Sequence, residues 1–164
     1  MENQSPDGAK LEKATFAAGC FWGVEATFRR LAGVKSTQVG YIGGSLDRPT
    51  YEQVCTDRTG HAEAVEVTYD ASVISYHDLL EVFWNNHNPT TLNRQGPDVG
   101  TQYRSAIFFY SPEQEAEAKA SKQAAQSRFS RPIVTLIEPA PTFWPAEEYH
   151  QQYLEKRGLA HCHL

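Results

Sequence analysis

A chain of 164 residues, 40% hydrophobic and 21% charged, is long enough for one domain and has the composition of a folded globular protein. Its net charge of −5, carried without any block of like charges, argues against nucleic acid or an anionic membrane as the main partner. No apolar run reaches the ~18 residues needed to span a bilayer, and the polar start "MENQSPDGAK" lacks the apolar core of a secretory signal and the Arg-rich pattern of a transit peptide. A cytoplasmic protein is the expectation.

Residues 1–12 read as a polar, flexible tail and 13–164 as a single domain whose end, from about 158, is mobile. "KATFAA" (13–18) is a candidate strand that feeds directly into Gly19-Cys20-Phe21-Trp22-Gly23. The spacing of Val24, Phe28 and Leu31 predicts a helix from Trp22 to about Leu31, closed by Gly33. A strand over 34–44 leads to a loop of turn formers, 45–60. In 61–69, "HAEAVEVTY", the odd positions His61, Glu63, Val65, Val67 and Tyr69 share one face of a strand. A helix over 75–87 presents Tyr76, Leu79, Leu80, Phe83 and Trp84 on one side, and a polar loop, 88–102, follows. The apolar run 103–111 reads as a strand. Ser111 as N-cap, Pro112 at the first helical position and Gln114 at the third start a helix that reaches about Phe129. A strand over 132–139 and a short amphipathic helix over 145–157 complete the order. This alternation predicts an α/β (α+β) two-layer sandwich of split-βαβ type with a mixed or antiparallel sheet, its strand order left open.

Three cysteines, Cys20, Cys55 and Cys162, with no close pair, do not make a disulfide framework. Cys20 is either a small buried hydrophobe or a nucleophile. Its place between a strand and a helix favours the second, because unpaired N–H groups and the dipole at a helix start stabilise thiolate. Phe21 and Trp22, adjacent and therefore on different helix faces, are either core or the walls of a pocket beside the thiol. Glu63 shares its face with valines. It is either a strand-end carboxylate still reaching water or a carboxyl kept protonated by burial, able to act as a general acid. His61-Ala62-Glu63 matches the H-x-E of zinc deaminases, but the P-C-x-x-C that must follow is absent. Tyr51 and Tyr103 carry little weight from spacing alone, and Asp98 is a turn residue or a helper of such a site. His161-Cys162-His163 with His150 is a poorly spaced set for a metal.

Together these stretches resemble the A-type peptide methionine sulfoxide reductases. "GCFWG" (19–23), "TYEQVCTDRTGHAEAVEV" (50–67), "QGPDVGTQYRSAIF" (95–108) and "FWPAEEYHQQYL" (143–154) follow in the family's order, from about Thr15 to the C-terminus. The resemblance implies a two-layer sandwich with a long C-terminal coil, acting on free and protein-bound methionine-S-sulfoxide. It implies Cys20 as nucleophile, Glu63 as acid, Tyr51 and Tyr103 on the sulfoxide oxygen, Phe21 and Trp22 around the methyl group, and Asp98 as a supporting polar residue. Cys162 would resolve the Cys20 sulfenic acid to a disulfide that thioredoxin reduces, while Cys55 would be packing. No cofactor or metal, no nucleic acid and no membrane is expected, and the chain would be a monomer. Two departures stand out: a single tail cysteine where some relatives have two, and Pro97 where asparagine is commoner, from which a local backbone effect is expected. The rival readings are a cysteine hydrolase or acyl transferase, for which His61 is the only motif histidine on offer as base, and a tail metal-binding module on an inert domain.

Overall fold

The computed structural model describes residues 10–156; Cys162 and the rest of the expected tail from 158 lie outside the described residues, as does most of the N-terminal tail. In chain order the elements are β1 (Leu11–Ala18), α1 (Phe21–Arg29), β2 (Val34–Ile42), α2 (Tyr51–Cys55), β3 (Ala62–Asp70), α3 (Tyr76–Asn85), β4 (Arg94–Gln95), β5 (Asp98–Val99), β6 (Ser105–Phe109), α4 (Pro112–Ala125), β7 (Leu136–Pro139), β8 (Trp144–Pro145) and α5 (Tyr153–Lys156). Six strands form one sheet in the order β7-β6-β1-β3-β2-β8, and β4 and β5 form a small hairpin apart from it. All neighbours in the large sheet are antiparallel except β6 and β7, so the sheet is mixed, as expected.

Alternation along the strands sorts residues onto two faces. Ala14, Phe16 and Ala18 of β1 and Val65, Val67 and Tyr69 of β3 join Phe28 of α1 and Leu79, Leu80 and Phe83 of α3 in the main core. Phe16 is fully buried, its ring stacked on Phe28 at 5.1 Å. The opposite face carries smaller side chains: Ala17, Ala62, Ala64 and Ala106, with Ile42 and Phe108, packed under Ala140 and Phe143. Helices therefore cover one face, and the chain between β7 and β8 covers part of the other.

Helix starts follow local chemistry. Ser111 accepts from the Gln114 N–H at 3.1 Å with Pro112 at the first turn. Gln114 does not close the box on its cap: its Oε1 takes the Tyr110 N–H at 3.0 Å and its Nε2 donates to the Lys13 carbonyl at 2.8 Å. Two expectations need correction. Residues 45–60 are not all loop: Thr50 and Gln53 form a reciprocal capping box that starts α2. Nor is 145–157 one helix. Trp144–Pro145 adds to the edge of β2, Glu148–His150 is a 3-10 turn, and Gln152 at φ +51 separates it from the single turn of α5.

Gly40 explains how β8 approaches: a Cβ there would meet the Trp144 carbonyl oxygen at 2.4 Å. The substitution at Pro97 is accommodated in the β4–β5 turn. Gly96 at φ +58 precedes it, the arrangement of a type II′ turn, whose second central residue takes a φ close to proline's own.

Candidate active site

Cys20 is the N-cap of α1, half-buried, with its carbonyl accepting the Val24 N–H at 3.3 Å. It comes directly after the end of β1, where Gly19 turns the chain at φ +102. A Cβ on Gly19 would lie 2.8 Å from the Gln95 side chain, so both backbone conformation and space require glycine. The main chain thus places the thiol at the start of a nine-residue helix, as its position in the sequence suggested.

Glu63 lies on the helix-covered face of β3 and is 1% exposed. Its Oε1 accepts the N–H of Phe21, the residue after Cys20, at 3.2 Å, and its Oε2 accepts Nε2 of Gln102 at 3.3 Å. Burial pushes the carboxyl up to about 7, with the Asp98 charge adding to it, while the Phe21 and Gln102 bonds pull the other way. The strand-end alternative, a carboxylate reaching water, is excluded by that burial. Near neutral pH a large part of the carboxyl holds a proton.

Two phenols stand in the field of Glu63. Tyr51 opens α2, with its N–H donated to Oε2 of Glu147 at 2.8 Å. Tyr103 closes a 3-10 turn over Thr101–Tyr103. Tyr103 therefore lies outside the strand that was expected to begin with it, which starts at Ser105. Burial and the nearby Glu63 charge hold both phenols well above their ordinary range, so both remain protonated donors. Asp98 and Cys20 also act on Tyr103, which places Cys20, Glu63, Tyr51, Tyr103 and Asp98 in one electrostatic neighbourhood. Asp98 itself sits at the start of β5 and, with Cys20, lines a cavity of about 200 Å³ between α1 and α3, together with Val24, Phe28, Val82 and His87.

The adjacent aromatics separate into different settings. Phe21 is 1% exposed, its ring near Tyr41 at 5.8 Å and His150 at 5.2 Å. Trp22 is half-buried, stacked on Tyr153 at 3.7 Å, and its Nε1 donates to Nδ1 of His150 at 2.9 Å.

Local reading of the sequence missed the C-terminal segment as part of the site. Glu147 accepts from the Tyr41 hydroxyl at 2.9 Å and from the Tyr51 N–H. Burial raises its pKa, but these bonds outweigh that and hold the carboxyl below its usual range. Gln151 pairs with both backbone groups of Val39, at 2.9 Å each. Glu25, buried in α1, accepts from the N–H of Gln152 at 2.8 Å and from Thr37 at 2.7 Å. The density of Glu, His and Gln in "EEYHQQYL" was the available signal.

Cys55 corrects another expectation. It is exposed rather than packed, while Val54 fills the core; Nε2 of Gln102 lies 3.6 Å from the Cys55 sulfur, between it and Glu63. His61 cannot serve a hydrolase as base in this arrangement: Nδ1 accepts the Gly44 N–H at 3.0 Å and Nε2 lies 2.7 Å from the Leu46 carbonyl oxygen. No group of three or more metal-ligating side chains occurs among the described residues, and His161, Cys162 and His163 lie outside them.

Residues 12–164 match the family model described as peptide methionine sulfoxide reductase. A protein named peptide methionine sulfoxide reductase MsrA, from Methanoculleus marisnigri, is 64% identical over 154 residues, covering 93% of this chain and 94% of that one. Reduced Mxr1 from Saccharomyces cerevisiae superposes with a TM-score of 0.88 at 36% identity, over 99% of this chain and 96% of that chain. The same yeast protein in complex with Trx2 superposes at 0.64 with 27% identity, over 92% and 88% of the two chains. The chain belongs to the peptide methionine sulfoxide reductase family, in its A type, and is a peptide-methionine (S)-S-oxide reductase.

Proposed function

We propose that the reductase works through Cys20 as nucleophile and Glu63 as acid, with Tyr51 and Tyr103 on the sulfoxide oxygen. The observation that carries this reading is the Glu63 carboxyl, buried, titrating at about 7 and bonded to the N–H next to Cys20. A sulfoxide oxygen leaves sulfur only once protonated or strongly hydrogen-bonded, and a neutral acid with two phenols supplies that help as charge develops. The Cys20 thiolate attacks the sulfoxide sulfur, the oxygen takes the Glu63 proton, and oxygen passes to the cysteine. Methionine leaves, and Cys20 becomes a sulfenic acid. Phe21 and Trp22 hold the methyl group, and Asp98 supports the polar side of the site.

Cys162 then attacks the sulfenic acid, forming a Cys20–Cys162 disulfide and releasing water. The covalent reach supports this role. Cys162 lies six residues beyond Lys156, up to ~20 Å of extended chain, and α5 is tied beside Arg29 at the far end of α1, about 13 Å of helix from Cys20. A thioredoxin dithiol reduces the disulfide by exchange, as the yeast relative's complex with Trx2 supports.

The test uses free and peptide-bound methionine-S-sulfoxide, with dithiothreitol and separately with a thioredoxin system. Cys20→Ser is expected to yield no methionine from either substrate. Cys162→Ser is expected to complete one turnover, one methionine per enzyme, and then stall with thioredoxin. Activity in Cys20→Ser would remove the nucleophile assignment; full cycling in Cys162→Ser, with the disulfide located by mass spectrometry, would move the resolving role to Cys55 or to the reductant.

A further inference from the structure

We infer that Asp57 is a positioning residue of the reductase: from the end of α2 it holds the 3-10 turn Thr101–Tyr103 where Gln102 meets Glu63 and Tyr103 meets the substrate. This rests on the reading of Glu63 as the acid and of Tyr103 as a donor to the sulfoxide oxygen. Asp57 follows Thr56, the residue that caps α2, and its N–H donates to the Val54 carbonyl at 3.0 Å. Its φ of +63 is left-handed, a conformation that glycine adopts without steric cost and that other residues rarely take. The strain of an aspartate there is offset by what its side chain reaches.

The carboxylate crosses to the start of the turn. Its Oδ1 accepts the Thr101 N–H at 2.9 Å and the Thr101 hydroxyl as well. Gly100, the residue before the turn, has no side chain to cap it, so Asp57, 44 residues away, fills that role. Arg104 takes the third polar group of Thr101, donating from Nη1 to its carbonyl at 2.9 Å. The turn clamped in this way carries two site residues in succession. Gln102 is 4% exposed and donates from Nε2 to Oε2 of Glu63 at 3.3 Å, and Tyr103 places its phenol in the field of the same carboxyl. Because α2 begins at Tyr51, the Asp57–Thr101 bonds join the two segments that bear the phenols.

Two substitutions separate the acceptor from the charge. Asp57→Asn removes the charge but tolerates the same backbone and keeps an oxygen at Oδ1; Asp57→Gly keeps the backbone and loses the acceptor. Single turnovers of reduced enzyme with free methionine-S-sulfoxide, without reductant, isolate the sulfoxide step. Asp57→Gly is expected to lower the rate at saturating sulfoxide roughly tenfold, because Tyr103 acts on charge that develops in the transition state, and to change the half-saturating concentration by less than about twofold. Glu63 is faced from β2, α2, the turn and β5 by Tyr41, Tyr51, Tyr103 and Asp98, none of which the two substitutions change. The pH at which the rate ratio to the matching Glu63→Gln variant begins to fall should rise by about half a unit in Asp57→Gly, since a displaced Gln102 no longer stabilises the carboxylate. Asp57→Asn is expected to keep the parent rate and midpoint. A direct effect of the Asp57 charge would instead move the midpoint down in both variants, as removing a negative charge favours ionisation, and would overturn the inference. So would a lower melting temperature in Asp57→Gly with rate and midpoint unchanged, the result expected of a surface staple. A ratio independent of pH in the parent background would overturn the reading of Glu63 as the acid, and this inference with it.

Discussion

Glu63→Gln removes a titrating proton from the interior and keeps the shape of the side chain. In the folded protein the carboxyl titrates at about 7, against 4.5 for an ordinary glutamate, and burial is the main cause. Between those two pH values the folded state holds a proton that the unfolded chain has released. The unfolded state therefore binds fewer protons, and stability falls as pH rises through the window. At about 1.4 kcal/mol per pH unit, Glu63 lowers the stability of the parent by about 3 kcal/mol once the pH is well above 7, and by almost nothing below 4.5. Urea unfolding of both proteins from pH 4.5 to 8.5 isolates this group, since every other titration is shared. The stability difference should grow in favour of Glu63→Gln by about 3 kcal/mol across that range. Catalysis follows the same proton. The ratio of parent to Glu63→Gln kcat/KM should fall above pH 7, approaching tenfold per pH unit, and the ionisation of Cys20 cancels from that ratio. Glu63→Ala, which cannot donate a hydrogen bond to the sulfoxide oxygen, should be much slower than Glu63→Gln. A stability difference independent of pH would refute the buried neutral acid, and equal rates in the two variants would refute its role.

Two further outcomes follow from single contacts. Gln102→Leu removes one of the two hydrogen bonds that lower the Glu63 pKa, so the pH at which the kcat/KM ratio begins to fall should move upward; an unmoved midpoint would mean that Gln102 only fills space. Phe16→Ala empties the centre of the main core, where Phe16 meets Phe28 and Phe83, and should lower the free energy of unfolding by about 3–5 kcal/mol in urea titration.

Period-two alternation placed Glu63 on the valine face of its strand, because a strand's two faces are fixed by backbone geometry and need no knowledge of what packs above them; its burial depended on that packing and was left open. Cys20 was legible for a similar reason: a glycine, a thiol and an amphipathic stretch mark a strand-to-helix junction locally. The short helix α2 was also written locally, as Thr50 and Gln53, but turn formers on both sides of it masked the box. The packing role of Cys55 came with the family resemblance, which says nothing about the side of a five-residue helix that the residue occupies, and here Val54 takes the core side.

The C-terminal segment failed for a different reason, and that reason bears on how the site is held. Its polar residues show helical spacing, yet Glu147, His150, Gln151 and Gln152 bond to Tyr41 and Tyr51, Trp22, Val39 and Glu25, all far away in the chain. Such bonds are directional, and each buried partner left unsatisfied would be destabilising, so they fix positions more narrowly than apolar contact can. Gln152 accepts a left-handed backbone so that both its N–H and its amide reach Glu25. A local helix was given up for anchors on β2 and on the two helices that hold site residues, α1, whose N-cap is Cys20 and which carries Trp22, and α2, which starts at Tyr51. No pattern along the segment could show this, because the information lies in what the rest of the chain leaves unpaired.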